Sequence, residues 1–441
     1  MGSWPENVGI LAIECVFPSL YVDQSELEVF NGVEKGKYVN ALGQLQMGIC
    51  TDREDVNSIC LTVVQRLLER YKINPSDIGR LEVGTETVSD KVKSVKNVLL
   101  QLFEPYGVVD LEGLDIRSGC YGGTAALFNS VAWIESSVWN GRYAIVVAAD
   151  IVASDEPTAL PIGGAGAVAM LVGPNAPLVI DRGLRGTIMK HSSDSLQPKL
   201  TASGSYMEAL QHTYQLYREK TQKKTNCANV ITMEDFDYLL FHAPNCTIPQ
   251  RAIALLTVID FINCISKTNN CENFKNSELS EIKSAEEAIH EFSKDTFNRK
   301  TLQSLLLTSR LGNTHSASLY GSLISLLINH NIEQLAGKKI CLFSYDSGIS
   351  GTMYSITVAK EYNNNSKLST MLCKLVDVKE RLEKRKKLSP TDFKTILELR
   401  EKAWNEKQYL SVADTNHLFS GSYYVAQVDE MQNREYKRKL N

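Results

Sequence analysis

The sequence predicts an α/β protein built as two related halves. Two observations carry this reading. Short apolar runs alternate with longer runs whose apolar residues recur at helical spacing. The same order then returns later in the chain, ending each time in two strands joined through a Gly-containing turn. These pairs are "IVVAADIV" with "GGAGAVAMLVG", and "KKICLFSYDSG" with "GTMYSITVAK".

Taken in order, "VGILAIECVF" reads as a strand and "SICLTVVQRLLERY" as a helix. "IGRLEVGTE" is a strand leaving into a polar loop, and "RYAIVVAADIV" and "GAVAMLVG" are buried strands. In the second half "FDYLLFHAPN" is a strand entering a loop and "SASLYGSLISLLINH" a helix. The expected boundaries are an N-terminal half over 1–180, a helical connecting segment over 181–229, and a C-terminal half over 230–441. The polar stretch 269–300 reads as a surface excursion. "KERLEKRKKLSP" reads as a solvated helix face ending before Pro390.

Composition narrows the function. With 441 residues, the chain suits two domains or one large double unit. Hydrophobic residues at 43% and charged residues at 22% are ordinary for a globular protein. A formal net charge of -4 and the lack of a basic stripe argue against a nucleic-acid partner. The ten cysteines show no CxxC pair, which argues against zinc ribbons and thioredoxin-like redox chemistry. The first residues lack a leader pattern and a membrane-length apolar run, and Glu6 stands where a myristoylation signal wants Ser or Thr. A cytoplasmic location and no membrane partner are therefore expected.

The stretch "DIRSGCYGGTAALFNSVAWIESSVW" places Cys120 where a short strand gives way to two glycines and a helix. A thiol beside the free N–H groups of a helix start loses its proton more easily. On these grounds alone a nucleophile and a packed core cysteine stay open together. Glu86 and His242 sit just past two other apolar strands, where ligands collect in α/β sheets. Together the three supply a nucleophile, a base and an acid. The glycines of "PIGGAGAVAML" lack nucleotide-binding spacing and read as a tight turn beside a site.

From here the sequence resembles a known family, the hydroxymethylglutaryl-CoA (HMG-CoA) synthases among the thiolase-like condensing enzymes. The likeness runs through "YVDQSELE", "MGICTDREDVNS", "GRLEVGTET", "CYGGTAALFN", "GRYAIVVAADI", "GGAGAVAMLVGPNAPL", "RGLRGT", "LYGSL" and "LAGKKICLFSY". It implies a five-layered αβαβα fold from two duplicated halves, a homodimer, and a place in the mevalonate route to isoprenoids. It also implies condensation of acetyl-CoA with acetoacetyl-CoA, needing no metal and no redox cofactor. By position it makes Cys120 the acetyl-accepting nucleophile, Glu86 the general acid/base and His242 the histidine that engages the second substrate. Asn313, Ser347, Arg251 and Gly164 are carried over as substrate-binding.

The chain departs from the family pattern at several places. Val39, Asn40 and Ala41 are changed; Leu160 replaces an Arg and Ile162 a hydroxyl residue. Ser193, Ser195 and Leu196 replace aromatics and Gln197 a Lys, with several residues absent shortly after. Thr247 replaces a Lys, His315 a Tyr, and Asp346 a Gly. If Asp346 lies near Cys120 its charge raises the thiol pKa, and Arg117, where Thr is expected, is the cation expected to offset it. These changes keep two other readings open: a thiolase-fold enzyme for another acyl-CoA, or a non-catalytic paralogue.

Overall fold

Residues alternate sides along a strand, and Tyr143–Val152 is buried on both sides, so it must be covered on two faces. The computed structural model describes residues 5–90, 92–153, 160–191, 203–226, 231–266, 279–363 and 365–440. The strands used here are β1 (Gly9–Val16), β2 (Leu20–Asp23), β3 (Gln46–Ile49), β4 (Ile78–Gly84), β5 (Asp115–Ile116), β6 (Tyr143–Val152), β7 (Gly164–Gly173), β8 (Leu178–Met189), β9 (Tyr238–Phe241), β10 (Lys339–Asp346) and β11 (Ser350–Val358).

Nine of these form one sheet, in the order β5-β4-β6-β7-β1-β8-β11-β10-β9. Outward from β1, the neighbours β7 and β6 are antiparallel and β4 is parallel. Outward from β8, the neighbours β11 and β10 are antiparallel and β9 is parallel. The same pairing scheme thus occurs twice, and the two runs meet where β1 pairs with β8.

Layering follows from which face each residue takes. Ala144, Val146 and Ala148 of β6 join one core, with Ile340 and Leu342 of β10 and the helices Gly122–Ile134 and Ser318–Asn329. Ile145, Val147 and Ala149 face a second core under the helix Val56–Tyr71. Cys341, Phe343 and Tyr345 of β10 face a third core under the helices Ser203–Thr225 and Thr247–Ser266. The result is helix, half-sheet, helices, half-sheet, helix, an α/β thiolase-like architecture. The helix Val56–Tyr71 is opened by a capping box, in which Asp55 accepts from the Ser58 N–H at 2.7 Å.

Two details differ from the sequence expectation. The stretch 181–229, expected as helical, opens as the second part of β8, and its described helix is Ser203–Thr225. Part of β8 reads "DRGLRG", and the register with β11 slips there, so no apolar alternation marks it as strand. The last part of the chain also returns to the first half. Asp52 accepts from Tyr409 Oη at 2.7 Å, and Arg381 pairs with the fully buried Glu14 at 3.1 Å.

Candidate active site

The helices Gly122–Ile134 and Ser318–Asn329 each follow a single 3₁₀ turn, Gly119–Tyr121 and His315–Ala317. Cys120 lies in the first turn and His315 in the second. The two turns face one another, with Cys120 Sγ 3.4 Å from His315 Nδ1. The same nitrogen lies 2.8 Å from Glu86 Oε1. Glu86 arrives from the loop after β4, so three distant segments converge on one imidazole nitrogen.

Close backbone approach explains the glycines here. A Cβ on Gly84 would lie 2.2 Å from the Gly122 carbonyl carbon, so the end of β4 abuts the helix start directly. Gly119 has φ +45°, and a Cβ there would lie 1.9 Å from Asp346 Oδ1. Asp346 ends β10 and accepts the Cys120 backbone N–H at 3.3 Å. Asp346 thus lies beside the thiol, as expected, whereas Arg117 is exposed and the group facing Sγ is His315.

Asp150, at the end of β6, holds the site together and was not expected from sequence. Its Oδ1 accepts from Thr85 Oγ1, the Glu86 N–H and Thr87 Oγ1 at 2.9 Å each, and from the Thr87 N–H at 3.1 Å. Its Oδ2 accepts from the Ser316 N–H at 2.8 Å. One carboxylate therefore fixes both the Glu86 loop and the His315 turn. The available signal was a charged residue closing the apolar run "AIVVAAD".

Electrostatics follow from this packing. Burial pushes the Cys120 thiol well up, and the charges of Glu86, Asp346 and Asp150 add to that. Burial opposes charge on His315, but the Glu86 hydrogen bond and charge outweigh it, so its value is raised. Glu86 is lowered: burial would raise it, but His315 wins. Asp346 is raised, chiefly by burial. Glu86, Cys120 and His315 offer ligand atoms within 4.8 Å of one another, a donor set of soft-metal type. Its shortest contact is already a carboxylate–imidazole hydrogen bond.

The other expected residues are more dispersed. His242 follows β9 and is buried, close enough to His315 to feel its charge. Its N–H donates to the Phe343 carbonyl at 2.8 Å, and its carbonyl accepts from Tyr206 Oη at 2.8 Å. Its Nδ1 is buried with no hydrogen-bond partner among the described residues. Asn313 Oδ1 accepts the His315 N–H at 2.9 Å. Gly164 is pressed against the Asn313 carbonyl and bridges to Gly312, so it supports that loop through the backbone. Ser347 is exposed in the β10–β11 turn, and Arg251 is exposed on the helix Thr247–Ser266.

Thr247 Oγ1 donates to the Ala41 carbonyl at 3.2 Å, joining two changed segments. Leu160 is buried in an apolar cluster with Leu42 and Met47. The changes at 193–197 lie outside the described residues.

Burial holds His242 down at about 3, with His315 adding to the effect. A native histidine that resists protonation costs stability in acid, because the unfolded imidazole takes a proton below about 6.5. Stability should therefore fall as pH drops from about 6.5 towards 3. In urea unfolding at pH 7 and pH 5, His242→Gln should lose less stability on acidification than the parent. Equal losses would remove this assignment.

Comparisons with known proteins fit this geometry. Residues 4–177 match the family model "Hydroxymethylglutaryl-coenzyme A synthase N terminal", and 178–439 match "Hydroxymethylglutaryl-coenzyme A synthase C terminal". Hydroxymethylglutaryl-CoA synthase 2 of Blattella germanica is 46% identical, over 99% of this chain and 100% of its own length. The mitochondrial synthase of Rattus norvegicus and the cytoplasmic one of Mus musculus are each 44% identical, over 99% of this chain and 90% and 88% of theirs. A solved structure described as MvaS in complex with 3-hydroxy-3-methylglutaryl coenzyme A superposes with a TM-score of 0.82 at 28% identity, covering 99% of this chain and 100% of that one. The chain belongs to the hydroxymethylglutaryl-CoA synthase family of acyl-CoA condensing enzymes.

Proposed function

We propose that this family member makes HMG-CoA from acetyl-CoA, acetoacetyl-CoA and water through an acetyl thioester on Cys120. One observation supports this reading above the others. A sulfur nucleophile and a carboxylate from separate segments meet at one nitrogen, in front of two helix starts. The Cys120 thiolate attacks the acetyl-CoA carbonyl and CoA leaves. Glu86 takes a proton from the acetyl methyl group, and the resulting carbanion attacks the acetoacetyl ketone. His242 stays neutral at working pH, and its ring is suited to donate to that ketone oxygen. Water then cleaves the enzyme thioester.

Asn313, Ser347, Arg251 and Gly164 belong to this proposal as groups near substrate, with Arg251 and Ser347 facing solvent where CoA would approach. A homodimer and a cytoplasmic setting in the mevalonate route are parts of the same reading. Relatives of similar identity are named as cytoplasmic and as mitochondrial, and no described helix is long and apolar enough to cross a membrane.

The test is intact mass after incubation with acetyl-CoA. An acetyl adduct on Cys120 that acetoacetyl-CoA discharges supports the synthase reading. An adduct that acetoacetyl-CoA leaves in place would favour a different second substrate. Glu86→Ala should keep Cys120 acetylation within about tenfold while condensation falls on the order of 10²–10⁴-fold. Loss of acetylation to the same extent as condensation would overturn the role given to Glu86.

A further inference from the structure

Cys120 must ionise in a crowd of negative charge. Glu86 faces it from the loop after β4, Asp150 from the end of β6 and Asp346 from the end of β10. His242, after β9, is held neutral and contributes no balancing charge. A thiolate there needs a cation at contact distance.

His315 is placed to supply it. A carboxylate oxygen only accepts, so the 2.8 Å contact with ionised Glu86 puts a hydrogen on Nδ1. The sulfur lies 3.4 Å from that same nitrogen and shares its N–H with Glu86 as a second acceptor, a contact that strengthens when the sulfur is a thiolate. The placement is held against backbone preference. His315 has φ +45°, a left-handed conformation that a non-glycine residue adopts at a cost. The Asn313 side chain accepts its N–H, Asp150 accepts the next N–H, and Ser316 Oγ donates to the Gly119 carbonyl at 2.9 Å. The last bond ties the His315 turn directly to the Cys120 turn.

We infer that His315 is a further catalytic residue: its imidazolium, anchored on Glu86, hydrogen-bonds the Cys120 sulfur and carries the positive charge that lets a thiolate form among three carboxylates. This rests on Cys120 being the acyl acceptor. The thiol proton leaves to solvent, and the thiolate and imidazolium remain as a pair. The bond from Sγ to the acyl carbon forms, the bond from that carbon to the CoA sulfur breaks, and the CoA thiolate takes its proton from solvent. His315 keeps its proton throughout. The raised value of His315 agrees with a charged ring.

Two measurements separate this from a structural role. Alkylation of Cys120 by iodoacetamide, followed peptide by peptide because Cys373 is also exposed, reports thiolate without any CoA chemistry. In His315→Gln the midpoint of its pH profile should rise by about one unit or more, and acetylation at pH 7.5 should slow about tenfold. Asp346→Asn should move the midpoint down, and His315→Gln/Asp346→Asn should recover most of the loss. A His315→Gln profile that superposes on the parent, or a double variant no better than His315→Gln alone, overturns the inference. Should His315→Gln fail to fold, NMR titration of histidine-labelled folded protein decides instead. The His315 midpoint should fall when Cys120 is alkylated, and an unchanged midpoint is fatal to the pairing. If Cys120→Ala still acquires the acetyl group, the acyl-acceptor reading fails on its own, whatever the alkylation profiles show.

Discussion

Cys120→Ala should abolish the acetyl adduct and lower HMG-CoA formation by about 10⁴-fold or more, the scale on which removing a covalent nucleophile acts. Its effect on stability should be small, on the order of 1 kcal/mol, because the change removes one sulfur from a half-buried position. The two readouts must therefore separate: turnover by a CoA-release assay collapses while the urea midpoint barely moves. Retained turnover would show that another group accepts the acyl chain. Cys15, Cys50, Cys60 and Cys341 are buried and so make poor substitutes.

Asp150→Ala should be the most damaging change away from the reacting atoms. Asp150 is fully buried, and its oxygens receive the donors of Thr85, Glu86, Thr87 and Ser316. Alanine leaves those groups buried and unpaired, at about 1–3 kcal/mol for each that finds no new partner. A loss on the order of 3 kcal/mol or more in urea unfolding is expected. Activity should fall further than stability explains, because the Glu86 loop and the His315 turn lose their common anchor. Asp150→Asn keeps one acceptor but turns an N–H₂ group towards donors, so it should rank between parent and alanine. If both variants match the parent in unfolding and turnover, Asp150 is not the anchor.

Much of this molecule could be read from its residues, for physical reasons that vary by element. β1, β6, β7, β10 and β11 were legible because buried central strands show as short apolar runs. The strand β8 was not, since its charged middle and slipped register hide the alternation. Glu86 and Cys120 were legible because each sits where a strand gives way to a loop or helix, and the structure brings both to one nitrogen. The imidazole in contact with them is His315, a residue marked in the sequence only as standing where the family has Tyr. No local pattern announces that, because it depends on a left-handed turn and on anchors from β6 and Asn313. Asp150 was missed for a related reason: its donors come from segments more than sixty residues away on either side.

The meeting of β1 with β8 has a consequence for how the chain can be divided. Severing it between Gly173 and Leu178 would expose two raw sheet edges, β1 on one fragment and β8 on the other. Each fragment would also bare the greasy side of its half of the middle helical layer. Neither piece is expected to survive alone as a monomer, and co-expressed fragments should reassociate or aggregate rather than persist apart.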